Sequence, residues 1–241
     1  MFDISIDSLR IEEFVSLIDK NIRKKQKAHI LGINAEKVVE LQHNEKLKKI
    51  INNSEIVHAD GISIILASIF LRKRIVERIA GIDLMVKLLE LSDNKGYKVY
   101  FLGAKSDVLY KMEKKLHKKY CNLQIVGSKD GYFAEDEYDE ILNELNRLKP
   151  QIIFVGITSP KKEYIIDYFL KNNVETIFMG VGGSFDVLSG KIKRAPYWMQ
   201  KSGLEWLFRL IQEPNRLLKR YLVGNLKFVK LLLKELYRYK K

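Results

Sequence analysis

Asp60 is the residue whose type and position are best suited to act on a substrate. It lies in the segment His58-Ala59-Asp60-Gly61, directly after a short apolar run and directly before an apolar segment with helical spacing. A carboxylate that ends a strand and faces a cleft can take up a proton as a general base. The alternative is that Asp60 caps the helix that follows it. Both interpretations place this carboxylate at the junction of a strand and a helix.

Asn34 holds the equivalent position after the preceding apolar run, in Gly32-Ile33-Asn34-Ala35-Glu36. Asparagine is a favoured N-cap residue, and a helix N-terminus can also meet the polar groups of a ligand, so both roles stay open. Farther along, Arg78 and Asp83 lie on either side of Gly81. For these two charged residues alone, we favour a structural ion pair over a direct role in binding.

Three later turns have the composition of sites that bind phosphate groups. Gly103 begins a small turn that would let a phosphate or a sugar come close to the backbone. A helix that begins near Pro160 would present its N–H groups beside Lys161 and Lys162, which suits a diphosphate. The segment 180–186 is rich in glycine, but it matches neither a Walker A loop nor the full dinucleotide fingerprint.

Metal and nucleophile chemistry are not predicted. The four histidines (His29, His43, His58 and His117) lack the spacing of metal ligands, and the single cysteine forms no cluster with them. The Gly-x-Ser-x-Gly motif of serine nucleophiles is also missing from the sequence. We therefore expect neither a metal site nor a cofactor.

The elements that must position these residues alternate along the first 180 residues. Short apolar runs rich in β-branched residues predict buried strands at His29–Ile33, Ile56–His58, Lys98–Leu102, Gln124–Val126, Gln151–Val155 and Thr176–Met179. Helical spacing predicts helices at Ala35–Asn52, Ile62–Leu71, Ile82–Asn94, Val108–Tyr120, Glu135–Leu148 and Lys161–Asn172. This alternation indicates an α/β fold with a mostly parallel, Rossmann-like sheet flanked by helices. Right-handed crossovers would place the C-terminal ends of the strands along one edge, where such sheets bind ligands.

The strand pattern ends near Gly190, which predicts an α/β catalytic domain at 1–190 and a basic helical appendage at 191–241. The appendage has two predicted helices, Tyr197–Leu210 and Asn215–Tyr239. On the second, basic residues fall within roughly 100° of arc, at Arg216, Lys219, Arg220, Lys227, Lys230, Lys234 and Arg238. Leucines cover much of the remaining surface. This helix either docks its leucines on the core or lies on an anionic membrane surface.

The net charge of +13 is concentrated at the C-terminal end. Residues 187–241 carry 14 basic and 3 acidic side chains, whereas the first 186 residues carry a net charge of only +2. A basic end attracts a membrane, a nucleic acid or a phosphorylated substrate. The single cysteine, the acidic N-terminus and the absence of an apolar run of 18 residues together predict a cytoplasmic protein, peripheral to a membrane.

Several motifs occur in combination along the chain. In order they are Asn34-Ala-Glu36, Ala59-Asp-Gly61, Arg78-Ile-Ala-Gly-Ile-Asp83, Gly131-Tyr-Phe133, Pro160-Lys-x-Glu163, Gly180-Val-Gly-Gly-Ser-Phe-Asp186, Gly190, Lys193-Arg-Ala-Pro196, Gly203-Leu-Glu-Trp206, Arg209-Leu210, Glu213-Pro214 and Arg216. With these motifs the chain closely resembles the WecG/TagA/CpsF glycosyltransferases (glycosyltransferase family 26) over nearly its whole length.

The resemblance implies an inverting, metal-independent transfer of a sugar, N-acetylmannosamine or a related hexose, from a UDP-sugar. The implied acceptor is a polyprenyl-diphosphate-linked sugar at the inner face of the cytoplasmic membrane, in the synthesis of teichoic acid or another cell-surface polysaccharide. Asp60 matches the family's catalytic base, and the basic appendage matches a membrane-directed element. The implied substrate-binding residues are Asn34, Arg78, Asp83, Gly103, Lys161, Glu163, Gly182, Gly183, Asp186, Arg194, Arg209, Arg216 and Arg220.

The expected partners are thus a UDP-sugar, a lipid-linked acceptor and an anionic membrane surface, without nucleic acid, and the leucine face offers a surface for self-association. Two positions depart from the family's pattern, because Gly32 replaces a common Thr and Lys162 replaces the usual Gln. Two other functions stay open on the residues alone. The basic tail favours a nucleic-acid-binding protein, and the sheet would also suit a nucleotide-dependent oxidoreductase.

Overall fold

The computed structural model describes residues 1–240, apart from the side chains of Arg216, Tyr239 and Lys240. Its centre is a six-stranded sheet in the order β2-β1-β6-β5-β3-β4, in which each strand is parallel to its neighbours. The strands are β1 (Ala28–Ile33), β2 (Ile56–Ala59), β3 (Lys98–Gly103), β4 (Gln124–Lys129), β5 (Ile152–Gly156) and β6 (Ile177–Gly180). All six predicted strands are confirmed, and so is the α/β fold with a parallel sheet.

Helices connect the strands and follow the last of them. Those of the body are α1 (Ile11–Arg23), α2 (Ala35–Glu40), α3 (Glu45–Asn52), α4 (Ile62–Phe70), α5 (Gly81–Lys95), α6 (Ser106–Lys119), α7 (Tyr138–Leu148), α8 (Lys161–Lys171) and α9 (Ser184–Leu188). The appendage contains α10 (Tyr197–Lys201), α11 (Glu205–Gln212) and α12 (Pro214–Lys240). The chain therefore changes from alternating strands and helices to helices alone where the sequence pattern predicts it.

Alternate residues of each strand face opposite sides of the sheet, and both sides are covered by apolar side chains. On one side, Ile30 and Phe154 join a core with residues of α1, α5 and α6. On the other side, Leu31 packs with α2, α3 and α4, and Val155 packs with α7 and α8. Because both faces are buried, the strands read as nearly continuous apolar runs. The strands therefore leave little room for polar side chains between the layers, and the buried His29 of β1 and His58 of β2 are exceptions.

Two predicted helices are each broken in two. The segment predicted as Ala35–Asn52 is interrupted before Asn44, whose side chain accepts a hydrogen bond from the N–H of Leu47 and caps α3. The segment predicted as Tyr197–Leu210 is interrupted at Gly203, which has a φ of +74°. In both places a local turn overrides helical spacing that continues across it. The prediction also missed α1 and the short α9.

α12 packs along the body rather than standing away from it. Leu217 and Phe228 are buried, and the ring of Phe228 lies 5.5 Å from that of Phe2. Arg220 forms an ion pair with Glu36 of α2. The division of the chain at residue 190 stays a prediction. None of the described helices is long and apolar enough to cross a membrane.

Candidate active site

Asp60 lies at the C-terminal edge of the sheet, where its orientation is fixed by its neighbours. Its backbone N–H donates to the carbonyl oxygen of Ile33 at the end of β1, at 2.9 Å. Its Oδ1 accepts a hydrogen bond from the N–H of Gly81, the first residue of α5, at 2.9 Å. Gly61, not Asp60, is the N-cap of α4, so the interpretation of Asp60 as the cap of that helix is wrong. Its role as a general base stays a prediction.

His58 packs beside Asp60 and gives a reason for glycine at position 32. The Nδ1 of His58 donates to the carbonyl oxygen of Ile79 at 3.0 Å, and burial lowers the pKa of this imidazole, which keeps it neutral. A Cβ on Gly32 would lie 2.9 Å from Cε1 of His58 and 3.1 Å from Cβ of Asp60. A side chain at position 32 would therefore press on both residues, so this departure from the family's pattern has a packing cause.

An ion-pair cluster joins the appendage to the segment that leads into α5. Nη2 of Arg194 lies 2.5 Å from Oδ1 of Asp83, and its Nε lies 3.6 Å from Oε1 of Glu205. Nη2 of Arg78 lies 3.7 Å from Oε2 of Glu205 and donates to the carbonyl oxygen of Gln200 at 3.3 Å. Arg78 and Asp83 thus each pair with the appendage and not with one another, which corrects the predicted ion pair between them.

A second charge cluster lies between α2 and α8. The carboxylate of Glu163 is fully buried, and its Oε1 accepts a hydrogen bond from Nζ of Lys37 at 2.8 Å. Lys37 also donates to the carbonyl oxygen of Gly32 at 3.0 Å, which ties the cluster to the end of β1. Nζ of Lys162 lies 3.7 Å from the same oxygen of Glu163. Glu163 therefore has an electrostatic role here, and its contact with substrate stays a prediction.

This cluster makes stability depend on pH. Burial by itself would raise the pKa of Glu163, but Lys37 and Lys162 outweigh it and lower the pKa from 4.5 to about 2. A depressed carboxyl pKa stabilises the fold above pH 4.5, and this stabilisation is lost as the pH falls toward 2. The lowering of the Glu163 pKa corresponds to a contribution on the order of 3 kcal/mol to the free energy of unfolding.

We expect Glu163→Gln to be less stable than the wild type at pH 7 and to lose less stability between pH 4.5 and pH 2. Urea unfolding at a series of pH values measures both effects, with Glu175→Gln, at an exposed carboxylate, as the control. Parallel loss of stability with acid in wild type and Glu163→Gln would contradict this origin of the acid sensitivity.

The turn before α8 offers fewer free N–H groups than the sequence predicts. The N–H of Lys162 already donates to the carbonyl oxygen of Thr158, and that of Glu163 donates to the carbonyl oxygen of Pro160. The ammonium of Lys161 points to the other side, where it lies 3.4 Å from the carbonyl oxygen of Phe133. A diphosphate at this turn would therefore rely more on side-chain charge than on backbone N–H groups.

Gly103 pairs with Gly156 where β3 and β5 both end. It has a φ of +128°, and a Cβ on it would lie 2.5 Å from the carbonyl carbon of Gly156. The next residue, Ala104, donates its N–H to the carbonyl oxygen of Gly156 at 3.0 Å. Glycine is thus required here for packing between strands. The predicted contact of Gly103 with a substrate remains a prediction.

The segment after β6 combines a packed side and an open side. The side-chain oxygen of Ser184 is buried and donates to the carbonyl oxygen of Val181, while Asp186 pairs with Lys191 at 2.9 Å. A Cβ on Gly183 would meet no atom within 4 Å. The turn therefore leaves space for another molecule to approach the backbone at Gly183, whereas a Cβ on Gly182 would lie 3.8 Å from Nζ of Lys162. Contact of either glycine with a substrate stays a prediction.

Asn34 and the arginines of the appendage complete the set of predicted residues. The side chain of Asn34 accepts from the N–H of Lys37 at 3.0 Å, so its prediction as an N-cap is confirmed. Arg209 lies on α11, and Arg220 is held by Glu36 of α2. The side chain of Arg216 lies outside the part of the chain that the structure describes. Their contacts with a substrate stay predictions.

The sheet order spreads these groups along one edge. Asp60 follows the outermost strand β2, Asn34 follows β1, the glycines at 182 and 183 follow β6, and Gly103 ends β3. From β2 to β3 there are four strand spacings of about 4.8 Å, or about 19 Å in all. An elongated ligand could thus meet a carboxylate at one end and glycine turns at the other. Among the described residues, no group of His, Cys, Asp or Glu is arranged to hold a metal ion.

Glu163 and Arg78 were predicted as site residues, but their partners Lys37 and Glu205 were not. Lys37 and Glu163 are 126 positions apart, and Arg78 meets the carboxylate of Glu205 on α11. Nothing in local spacing identifies such partners, because the fold alone brings them together. A usable signal existed for Lys162 only, since it replaces a neutral residue of the family's pattern with a charge.

The chain that holds this site matches a known protein family. The model described as "Glycosyl transferase WecG/TagA/CpsF family" matches residues 1–241. The match includes the six strands, Asp60 and the whole appendage.

Proposed function

Because the chain belongs to the WecG/TagA/CpsF family of glycosyltransferases, we propose that it transfers a hexose, N-acetylmannosamine or a related sugar, from a UDP-sugar to a polyprenyl-diphosphate-linked sugar. The transfer inverts the anomeric centre, needs no metal ion, and takes place at the inner face of the cytoplasmic membrane. Its product is an intermediate of teichoic acid or another cell-surface polysaccharide. The nucleic-acid-binding and oxidoreductase alternatives gain no support from the family.

The observation that carries this proposal is the placement of Asp60. Its Oδ1 is oriented by the N–H of Gly81, and neutral His58 packs beside it at the end of the sheet where ligands bind. In an inverting transfer, the acceptor hydroxyl loses its proton as its oxygen attacks the anomeric carbon. Asp60 accepts that proton as the general base.

The departing UDP requires stabilisation on the opposite side of the sugar. The bond between the anomeric carbon and the β-phosphate oxygen breaks, and its electron pair remains on the phosphate. The open backbone at Gly183 allows a close approach of this group, and cationic side chains nearby oppose its charge. Glycine turns and cations thus supply the electrostatic part of catalysis.

Helix α12 presents three kinds of surface, which supports the proposal of a membrane-bound enzyme. One side docks on the body through Leu217 and Phe228. A second side is exposed and apolar, and consists of Leu218, Leu222, Leu226, Val229, Leu233 and Tyr237. On a wheel of 100° per residue the basic row adjoins this apolar row directly. A helix with such adjacent rows suits an anionic leaflet, with leucines in the acyl region and lysines at the headgroups.

The appendage also couples the membrane to the catalytic edge. Glu205 of α11 lies within 4 Å of both Arg78 and Arg194, and Arg194 in turn holds Asp83 of α5. α5 begins at Gly81, whose N–H orients Asp60. A lipid-linked acceptor would therefore approach its base along the same elements that hold the appendage in place. Arg209, Arg216 and Arg220 are the arginines proposed to meet its diphosphate.

A donor screen tests the proposed function. Purified protein is incubated on anionic vesicles with each of several UDP-sugars, with and without a lipid-diphosphate-GlcNAc acceptor, and UDP release is measured. We expect at least one donor to release UDP only when the acceptor is present. Absence of acceptor-dependent release from every donor would contradict the proposal.

A further inference from the structure

The ammonium of Lys162 lies at the middle of the C-terminal edge of the sheet, which we call the catalytic edge because Asp60 lies on it. A Cβ on Gly180, the last residue of β6, would be 3.0 Å from Cε of Lys162, and a Cβ on Gly182 would be 3.8 Å from its Nζ. Only 13% of the side chain is exposed. Strand β6 lies between β1 and β5, so this charge stands between Asp60 after β2 and the glycine turns at the ends of β5 and β3.

Lys162 shares its nearest carboxylate, that of Glu163, with Lys37. Its ion-pair partner Glu163 is already bound by Lys37 at 2.8 Å, and the distance to Lys162 is longer, at 3.7 Å. The other carboxylate that acts on it is Asp60, which the proposed mechanism protonates. One ammonium therefore lacks a full counter-charge when the acceptor proton reaches Asp60.

We propose that Lys162 binds an anionic oxygen at the reacting end of the donor, where the sugar joins the diphosphate. This inference rests on the proposed function and adds a residue to it. Two donor groups have the required chemistry: the oxygen of the β-phosphate that receives the electron pair of the breaking bond, and the carboxylate of a hexuronic sugar. A charge-assisted hydrogen bond to either would be strong in this enclosed position.

If Lys162 binds the substrate, turnover should depend on its protonation, whereas the loss of a proton from a purely structural lysine would not change turnover directly. Burial, and then repulsion by Lys37, lower its pKa to about 8, while Glu163 and Asp60 oppose the shift. His29, which faces the cluster from β1, is held neutral because burial lowers its pKa to about 3. The ammonium is therefore present below pH 8 and lost above it. We expect turnover to fall above pH 8 for this reason.

The test compares the wild type with Lys162→Gln, and uses Lys171→Gln as a control at an exposed position on the same helix. Calorimetry measures the binding of UDP and UMP, and steady-state kinetics measure turnover with neutral and hexuronic UDP-sugars from pH 6 to 10. We expect Lys162→Gln to lose on the order of 10- to 100-fold in affinity or turnover. Its activity should also no longer fall above pH 8.

The pattern of the loss identifies the group. Weaker binding of UDP with unchanged binding of UMP assigns the β-phosphate, whereas a loss confined to hexuronic donors assigns the sugar carboxylate. If Lys162→Gln stays within twofold of the wild type in every assay and keeps the fall above pH 8, the inference is wrong. A wild-type protein without turnover on any UDP-sugar would contradict the proposed function itself, which separates the two failures.

Discussion

Asp60→Asn is expected to lower kcat by on the order of 100-fold or more, while UDP binding stays close to that of the wild type. Asparagine has nearly the shape of aspartate and keeps the side-chain oxygen that accepts from the N–H of Gly81. It cannot take up the proton of the acceptor hydroxyl. The substitution therefore separates the chemical role of this residue from its structural role at the start of α5.

Initial rates of UDP release at saturating donor and acceptor measure this effect. Asp167→Asn is a suitable control, because that carboxylate lies on α8 in an ion pair with Lys171. Equal melting temperatures and equal UDP affinities show that Asp60→Asn folds as the wild type does. If turnover then remains near the wild-type value, another group removes the proton and Asp60 is not the base.

The second large effect concerns the exposed leucines of α12. Leu222 and Leu226 are 58% and 72% exposed, so replacing both by Glu should leave stability nearly unchanged. Each leucine that enters the acyl region contributes about 1.5–3 kcal/mol to membrane binding. The double variant is therefore expected to bind anionic vesicles more weakly by at least about 100-fold, and to lose activity with a lipid-linked acceptor.

Vesicle sedimentation with anionic and with neutral lipids measures this partitioning. Tyr110→Glu is the control, since Tyr110 is equally exposed but lies on α6, on the other side of the sheet from α12. Unchanged partitioning of the double variant would contradict a membrane role for this row. A change in sedimentation coefficient without a change in partitioning would instead indicate a contact between two copies of the chain.

The strands could be predicted because their runs of apolar residues are typical of a sheet that is buried on both faces. Ile30, Leu31 and Phe154 are buried in a sheet covered on both faces, which requires apolar, β-branched or aromatic residues in succession. Helix ends were less predictable. The breaks near Asn44 and Gly203 depend on single turn residues, and helical spacing continues across both of them.

Asp60 and Asn34 could be predicted as edge residues because each directly follows a strand of a parallel sheet. Their partners could not. Glu163 pairs with Lys37 across 126 positions, and Arg78 pairs with Glu205 of the appendage. Such ion pairs depend on how α2 meets α8 and how α11 meets the body. The spacing of residues along the chain therefore does not predict these contacts.

The sequence also could not predict that the apolar surface of α12 is divided into a buried part and an exposed part. Its leucines appear on a helical wheel as one wide apolar face, for which docking and membrane binding were alternatives. The structure divides this face, because Leu217 and Phe228 are buried whereas Leu222 and Leu226 are exposed. Docking on the body therefore accounts for part of the apolar surface and leaves a separate row for a partner.

The anomeric configuration of the first product tests the central claim, a one-step displacement at the anomeric carbon, most directly. NMR of the product formed on a lipid-diphosphate-GlcNAc analogue gives the configuration from the one-bond carbon–proton coupling at the new anomeric centre and from NOEs between H1 and H3 or H5, which also separate the anomers of N-acetylmannosamine. We predict that an α-linked UDP-sugar yields a β-linked product. A product with retained α configuration, or no glycosidic product at all, would contradict this mechanism.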